Sequence, residues 1–284
     1  MLRKIPAKNA VLFAIVIILL TLGFYRNQWH AAGKKWFYEW KTNSDVMLVA
    51  RLVWSRQTSV FSDGALLGVG DGQWPMLADT KLHQYDSYMN NKNFSIYWTY
   101  DSMTGGQGVI FSVLNKLTNL PPNLSLKIFR GMTSLLSALA LTLIVLWFSA
   151  EFNLFSALMV FGYCVLSEWL TLFAGSLFFQ LWAFYIPPIG IAIYLRRTKD
   201  QENISAFHFT GLAALTVVVK TLFNGFEFIT PTLGMMFIPV IYYALIRNWG
   251  AKTIINLFIK VSVGILIGTL LSLIILALQI SVVK

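Results

Sequence analysis

The chain has 284 residues, of which 57% are hydrophobic and only 12% are charged. So little polar surface cannot cover a soluble globule of this size, which excludes an ordinary soluble enzyme and predicts an all-α membrane protein. The net charge of +10 is explained by cations at the ends of membrane spans, so nucleic acid is not an expected partner.

Windows of about 20 apolar residues predict about seven transmembrane helices, because that length crosses a bilayer. The predicted spans are residues 9–25, 126–149, 154–173, 176–195, 206–223, 226–246 and 261–282. They form a single membrane domain over residues 1–284, with spans two to seven in 126–282 and a large external loop, 25–125, after the first. No cleavage site follows the first apolar run, which is therefore interpreted as an uncleaved span.

Basic residues in the short loops predict the orientation of the spans. They precede the first span and follow the fourth and the sixth, and they are Arg3, Lys4, Lys8, Arg196, Arg197, Lys199, Arg247 and Lys252. Short loops rich in Lys and Arg face the cytosol. The N-terminus is therefore expected in the cytosol, and loop 25–125 outside.

Two amphipathic helices are predicted within the loop. The first has Ser44 as its N-cap and Asp45 in its first turn, and apolar residues recur at helical spacing over 46–53. The second covers 108–117 and ends before the prolines at 121–122. Both are expected to lie along the membrane surface.

Four carboxylates are candidates for chemistry. Asp45 and Asp63 lie in the loop, whereas Glu168 and Glu227 lie in apolar sequence near the predicted outer ends of spans three and six. An ionisable group within apolar sequence usually faces an aqueous cavity or a partner, which favours a functional role for the two glutamates. For Asp45, a charge that stabilises the start of a helix is an equally good explanation.

Three cations near the predicted outer side suit a lipid phosphate. Lys127 and Arg130 open span two, and Lys220 lies near the outer end of span five. The alternatives are anchoring in the lipid headgroups for the first two residues and snorkelling of the ammonium for Lys220. No thiolate metal site or intrachain disulfide can form, because Cys164 is the single cysteine.

One span, a long external loop with an acid at a juxtamembrane helix, and six further spans resemble the N-terminal module of the GT-C integral-membrane glycosyltransferases. Segments 51–64, 105–108 and 225–230 also look similar to parts of bacterial members. The resemblance implies transfer of a sugar from a polyprenyl-phosphate carrier to an acceptor at the outer face of a bacterial plasma membrane. Asp45 matches the acid that serves there as catalytic base or as a carboxylate associated with a divalent metal, Mg²⁺ or Mn²⁺.

In the implied mechanism Asp45 abstracts the proton of the acceptor hydroxyl, and Lys220, Lys127 or Arg130 neutralises the departing phosphate. The loop lacks an Asp-x-Asp pair, which counts against the divalent metal. Members of this superfamily usually carry further spans or an external domain. The expected partners are therefore membrane lipid, the lipid-linked sugar and a second polypeptide that completes the acceptor site. The alternative to the second polypeptide is that the chain is a fragment of a longer enzyme. The alternative function is a non-catalytic transporter or scaffold for lipid-linked precursors of the cell envelope.

Overall fold

The computed structural model describes residues 7–71, 78–198 and 204–283, and the predicted all-α class is confirmed there. Arg3, Lys4, Lys199 and the side chain of Lys8 lie outside the described part. In chain order the helices are α1 (Ala7–Arg26), α2 (Lys34–Ser44), α3 (Val46–Gln57), α4 (Ala78–Met89), α5 (Gly106–Thr118), α6 (Pro122–Glu151), α7 (Leu154–Leu166), α8 (Glu168–Ala174), α9 (Leu181–Arg197), α10 (Ala206–Asn224), α11 (Ile229–Met235), α12 (Phe237–Ile246) and α13 (Ala251–Ser281). Strands β1 (Gly68–Gly70) and β2 (Tyr97–Thr99) form one antiparallel pair.

Within the described residues, four stretches are long and apolar enough to cross a membrane: α6, α10, the pair α11–α12 and α13. Helices α7 and α8 would together form a fifth, but the chain bends by 68° between them. This bend falls at Ser167, whose hydroxyl accepts the backbone N–H of Leu170 and so starts a new helix. The structure therefore supports a multi-pass protein with four or five such helices.

The predicted number of seven spans is not supported. The span predicted at 176–195 corresponds to α9, which has only 17 residues and contains Pro187 and Pro188. For the span predicted at 9–25, the described residues offer only the shorter apolar helix Phe13–Arg26. A hydropathy window counts apolar residues, but it does not see that the chain turns through 175–180 before α9 begins.

Small residues allow α13 to pack closely against α10. A Cβ atom added to Gly268 would lie 2.6 Å from the carbonyl oxygen of Ala214. One turn away, the hydroxyl of Ser272 hydrogen-bonds that of Thr221. Together with Gly264, these small residues recur every four positions along one face of α13, a spacing that lets membrane helices approach each other.

The loop after α1 folds into a cap, a name used here for the described residues between 27 and 121. Its central helix is α3, which is covered by α4, α5 and β1 and is almost entirely buried. The expectation that this helix lies along the membrane surface is therefore wrong. The second predicted amphipathic helix is confirmed as α5, whose Phe111 packs against Phe129 of α6.

Polar contacts attach the cap to one end of the helical bundle, which is named the cap end. The hydroxyl of Thr104 donates to the carbonyl oxygens of Thr221 and Leu222 at 2.8 and 3.0 Å. The amide of Gln279 donates to the carbonyl oxygens of Gly64 and Thr104 at 2.8 and 2.9 Å. The ends of α10 and α13 are therefore fixed to the cap, and the opposite end of the bundle is the far end.

Substitution of two glycines by alanine should have opposite effects on stability. Gly268→Ala should lower the free energy of unfolding by about 1–3 kcal/mol, because the new methyl group collides with backbone of α10. Gly211→Ala should raise it by about 0.5–1 kcal/mol, because nothing lies within 4 Å of its added Cβ and alanine favours the helix. Thermal unfolding of the purified protein in detergent measures both changes. Equal shifts of the unfolding midpoint in the two variants would contradict the packing described.

Candidate functional site

An apolar groove runs along α9 from the cap end toward the far end. Two adjacent hollows of about 440 and 260 Å³ share Tyr185 and Met235 in their linings and are together called the groove. Helices α8 and α6 form one wall, and α11 and α12 form the other. The α9 residues that line it extend from Leu181 to Ile193, a helical length of about 18 Å.

A carboxylate stands beside the cap end of this groove. Glu227 lies in the turn between α10 and α11, and its Oε1 accepts the hydroxyl of Tyr100 from the cap at 3.2 Å. The next residue, Phe228, lines the groove. Burial raises the pKa of the half-buried Glu227 carboxyl, although the Tyr100 hydroxyl and the charge of Lys220 act in the opposite direction. A raised pKa suits a carboxylate for proton transfer near neutral pH.

The turn that carries Glu227 has an unusual backbone. Gly225 and Phe228 have φ angles of +55° and +51°. A positive φ is ordinary for glycine but rare for a bulky residue such as phenylalanine. The buried ammonium of Lys220 donates hydrogen bonds to the carbonyl oxygens of Gly225 and Glu227 and so holds this turn in place. The prediction that Lys220 binds a phosphate is not supported by this geometry, because its ammonium is directed into the turn.

The acid predicted to be catalytic, Asp45, is fully buried. Its Oδ2 accepts hydrogen bonds from Nε of Arg130 and forms an ion pair with Nη2, both at 2.9 Å. Its Oδ1 accepts the backbone N–H of Leu177 at 2.6 Å and the hydroxyls of Ser44 and Ser176 at 3.3 Å. One carboxylate therefore joins the cap, α6 and segment 175–180.

The local prediction around Asp45 needs a correction. Ser44 is the last residue of α2, and Asp45 is the single residue between α2 and α3. Its side chain does not cap α3 but binds the distant N–H of Leu177. In this arrangement Asp45 cannot contact a substrate without breaking the buried pair, so its predicted role as base lacks support from the geometry, and the guanidinium of Arg130 is directed to this carboxylate rather than left free for a phosphate.

Lys41 lies next to this pair and was not singled out in the sequence. Its buried ammonium donates to the carbonyl oxygens of Phe24 and Tyr25, at 3.3 and 3.0 Å, where α1 ends. Burial and, to a smaller degree, the charge of Arg130 lower the pKa of Lys41 to about 7, against the attraction of Asp45. Its spacing of four residues from Asp45 was the available sequence signal, because such residues share a helix face. Tyr100 gave no comparable signal.

The remaining predicted residues lie apart from one another. Asp63 accepts the indole N–H of Trp54 at 2.5 Å within the cap. Glu168 is exposed in the first turn of α8, and Lys127 is exposed near the start of α6. Within the described ranges, no group of three or more His, Cys, Asp or Glu side chains is arranged to hold a metal ion. The described part of the chain therefore offers no ready-made cluster for the divalent metal that the resemblance implies.

Comparison with known proteins gives no relative. No protein family matches the sequence, and no curated protein and no solved structure matches the chain significantly. The functional assignment therefore depends on the geometry of the groove and of the residues beside it.

Removal of the buried charge at Asp45 should destabilise the protein. Asp45→Asn leaves Arg130 partly buried without its counter-charge, and the expected loss is about 3 kcal/mol of unfolding free energy. In thermal unfolding, the double variant Asp45→Asn with Arg130→Gln should lose less unfolding free energy than the two single variants lose in sum. Glu168→Gln is the exposed control and should leave the midpoint unchanged. A wild-type midpoint for Asp45→Asn would contradict the structural role.

Lys41 should make stability depend on pH. Its pKa falls from 10.5 in the unfolded chain to about 7 in the folded protein, so the unfolded chain binds more protons between these values. The free energy of unfolding should therefore rise from pH 7 to pH 10, by up to about 1.4 kcal/mol per pH unit, and the penalty should be complete below pH 7. Thermal unfolding of wild type and Lys41→Met across this range isolates the effect, and parallel pH curves would refute it.

Proposed function

We propose that this chain is a membrane glycosyltransferase of the GT-C type, which transfers a sugar from a polyprenyl-phosphate carrier to an acceptor at the cap end. The observation that carries the proposal is the position of Glu227, a carboxylate with a raised pKa, beside the cap end of an apolar groove. The groove suits the hydrocarbon part of such a carrier, and the cap end offers polar groups to its phosphate and sugar. The membrane lipid therefore surrounds the protein and also supplies the lipid-linked substrate.

In this proposal Glu227, rather than Asp45, is the general base. It takes the proton of the acceptor hydroxyl while the acceptor oxygen bonds to the anomeric carbon and the bond from that carbon to the phosphate oxygen breaks. The lipid phosphate leaves with the electron pair, so no strong acid is needed. Tyr100 orients the carboxylate through its hydrogen bond, and the exposed ammonium of Lys127 remains a candidate for the phosphate.

The proposed location is a bacterial plasma membrane with the cap outside. Basic residues at the far end support this orientation, since Arg196 and Arg197 end α9, and Arg247 and Lys252 flank the turn after α12. A second polypeptide that completes the acceptor site is part of the proposal, because the acceptor is not accounted for by the groove.

A second candidate is a non-catalytic protein that binds lipid-linked precursors. It is favoured by the way Asp45 and Arg130 satisfy each other, which leaves fewer charged groups for chemistry than the sequence suggested. The groove does not favour a transporter in this class, because its almost wholly apolar lining offers a headgroup no polar route between the two ends.

Glu227→Gln should abolish transfer while leaving the fold intact. Membranes that contain the protein, together with a cell-envelope extract as the source of acceptor, are supplied with a panel of polyprenyl-phosphate sugars, and the release of free polyprenyl phosphate is measured, so that the acceptor need not be identified. The variant should be at least roughly a hundredfold slower, because amide nitrogen and oxygen cannot take the proton. Glu168→Gln is the matched control and should keep the wild-type rate.

Full turnover by Glu227→Gln would remove this residue from the role of base. If the wild-type protein binds carrier lipids but consumes no sugar donor of the panel with any acceptor extract, the non-catalytic candidate takes its place.

A further inference from the structure

The far end of the groove is closed by aromatic side chains. Trp147 and Phe148 line its last part. The ring of Trp147 meets that of Tyr242 edge-on at 5.0 Å, and Phe148 stacks on Phe152 at 5.3 Å. These four rings form a floor across the space between α6 and α12.

Hydrogen bonds and one ion pair hold this floor in place. The indole N–H of Trp147 donates to the hydroxyl of Tyr243 at 3.1 Å, and that hydroxyl donates to Oε1 of Glu151 at 3.0 Å. Oε1 also pairs with Nε of Arg196, at the end of α9, at 3.2 Å. The floor therefore connects α6, α9 and α12, and a hydrocarbon chain that extended past it would meet charged groups.

The occupant that suits this groove is a single lipid chain. Its walls belong largely to helices long and apolar enough to cross a membrane, where lipid hydrocarbon is the surrounding solvent. Phe228, the neighbour of Glu227 in the chain, lines the cap end of the groove, and the aromatic floor lies at its far end. A chain longer than about 18 Å must leave it sideways and gains no further contact from its additional carbons.

We propose that the groove selects its lipid by chain length and that Trp147, as the floor, is the residue that sets the limit. This inference rests on the proposed function in taking the bound lipid to be the sugar carrier. Each methylene or methyl group that enters the groove gains van der Waals contact with its walls, whereas groups beyond the floor gain none. Affinity should therefore rise with chain length up to a limit and then stay constant.

Two substitutions should move this limit in opposite directions. Trp147→Ala empties the volume of the indole, which lies before the charged groups, and should extend the limit by that volume, so that chains just above it bind roughly tenfold more tightly. Ala192→Phe fills the groove next to the floor and should shorten the limit, with a similar loss for the longest chains accepted by wild type. Phe155→Ala is the control, because this α7 side chain is exposed outside the groove.

The experiment uses the full chain in lipid nanodiscs, with a series of polyprenyl monophosphates of increasing length and binding measured by native mass spectrometry. If lipids bind and the chain-length limit is the same in wild type, Trp147→Ala and Ala192→Phe, the inference is overturned and the proposed function still stands. A shifted limit in a protein that transfers no sugar would support the inference and count against the proposed function. If no polyprenyl monophosphate of any length binds, both the inference and the proposed function are refuted. If Trp147→Ala does not fold, the Ala192→Phe variant alone decides between these outcomes, since this substitution leaves no cavity in the protein.

Discussion

The buried pair of Asp45 and Arg130 is the interaction on which the arrangement of the cap and the bundle depends. The carboxylate has no exposed surface, and it accepts hydrogen bonds from α6, from the end of α2 and from the backbone of Leu177. Such a pair adds little net stability compared with apolar residues of the same shape. Its effect is on specificity, because any other register of cap against bundle would leave a buried charge without a partner.

The same pair influences the candidate site through two polar links. Asp45 fixes segment 175–180 by binding Leu177, and this segment ends at Gln180. Gln180 and Asn224 exchange two hydrogen bonds at 2.8 and 2.9 Å, and Asn224 immediately precedes the turn that carries Glu227. A substitution at Asp45 would therefore disturb Glu227 without touching substrate. Loss of activity on changing Asp45 would consequently not identify it as a base, and stability must be measured beside it.

Periodicity and hydropathy predicted the all-α class and helices α5, α6, α10 and α13, because these depend on local sequence. They did not predict that α3 is buried, since Arg51 and Ser55 on its polar face indicated exposure. The guanidinium of Arg51 donates to the carbonyl oxygen of Val60 at 2.6 Å and lies over the ring of Tyr97, and the hydroxyl of Ser55 donates to that of Ser112 in α5 at 2.9 Å. Partners as distant in the chain as Tyr97 and Ser112 leave no trace in a local pattern.

Asp45 and Glu227 illustrate how far sequence can distinguish a structural acid from a functional one. Each is a carboxylate beside apolar sequence, and each is predicted on the outer side. In the fold, Asp45 faces a guanidinium and a backbone N–H in a space closed to solvent, whereas Glu227 is half-buried, accepts the hydroxyl of Tyr100 and precedes Phe228, which lines the groove. A base needs access to its proton donor and a pKa suited to the working pH. Glu227 is partly exposed and burial raises its pKa, so it is the better candidate for the base of the proposed transfer, and Asp45 holds the scaffold in register.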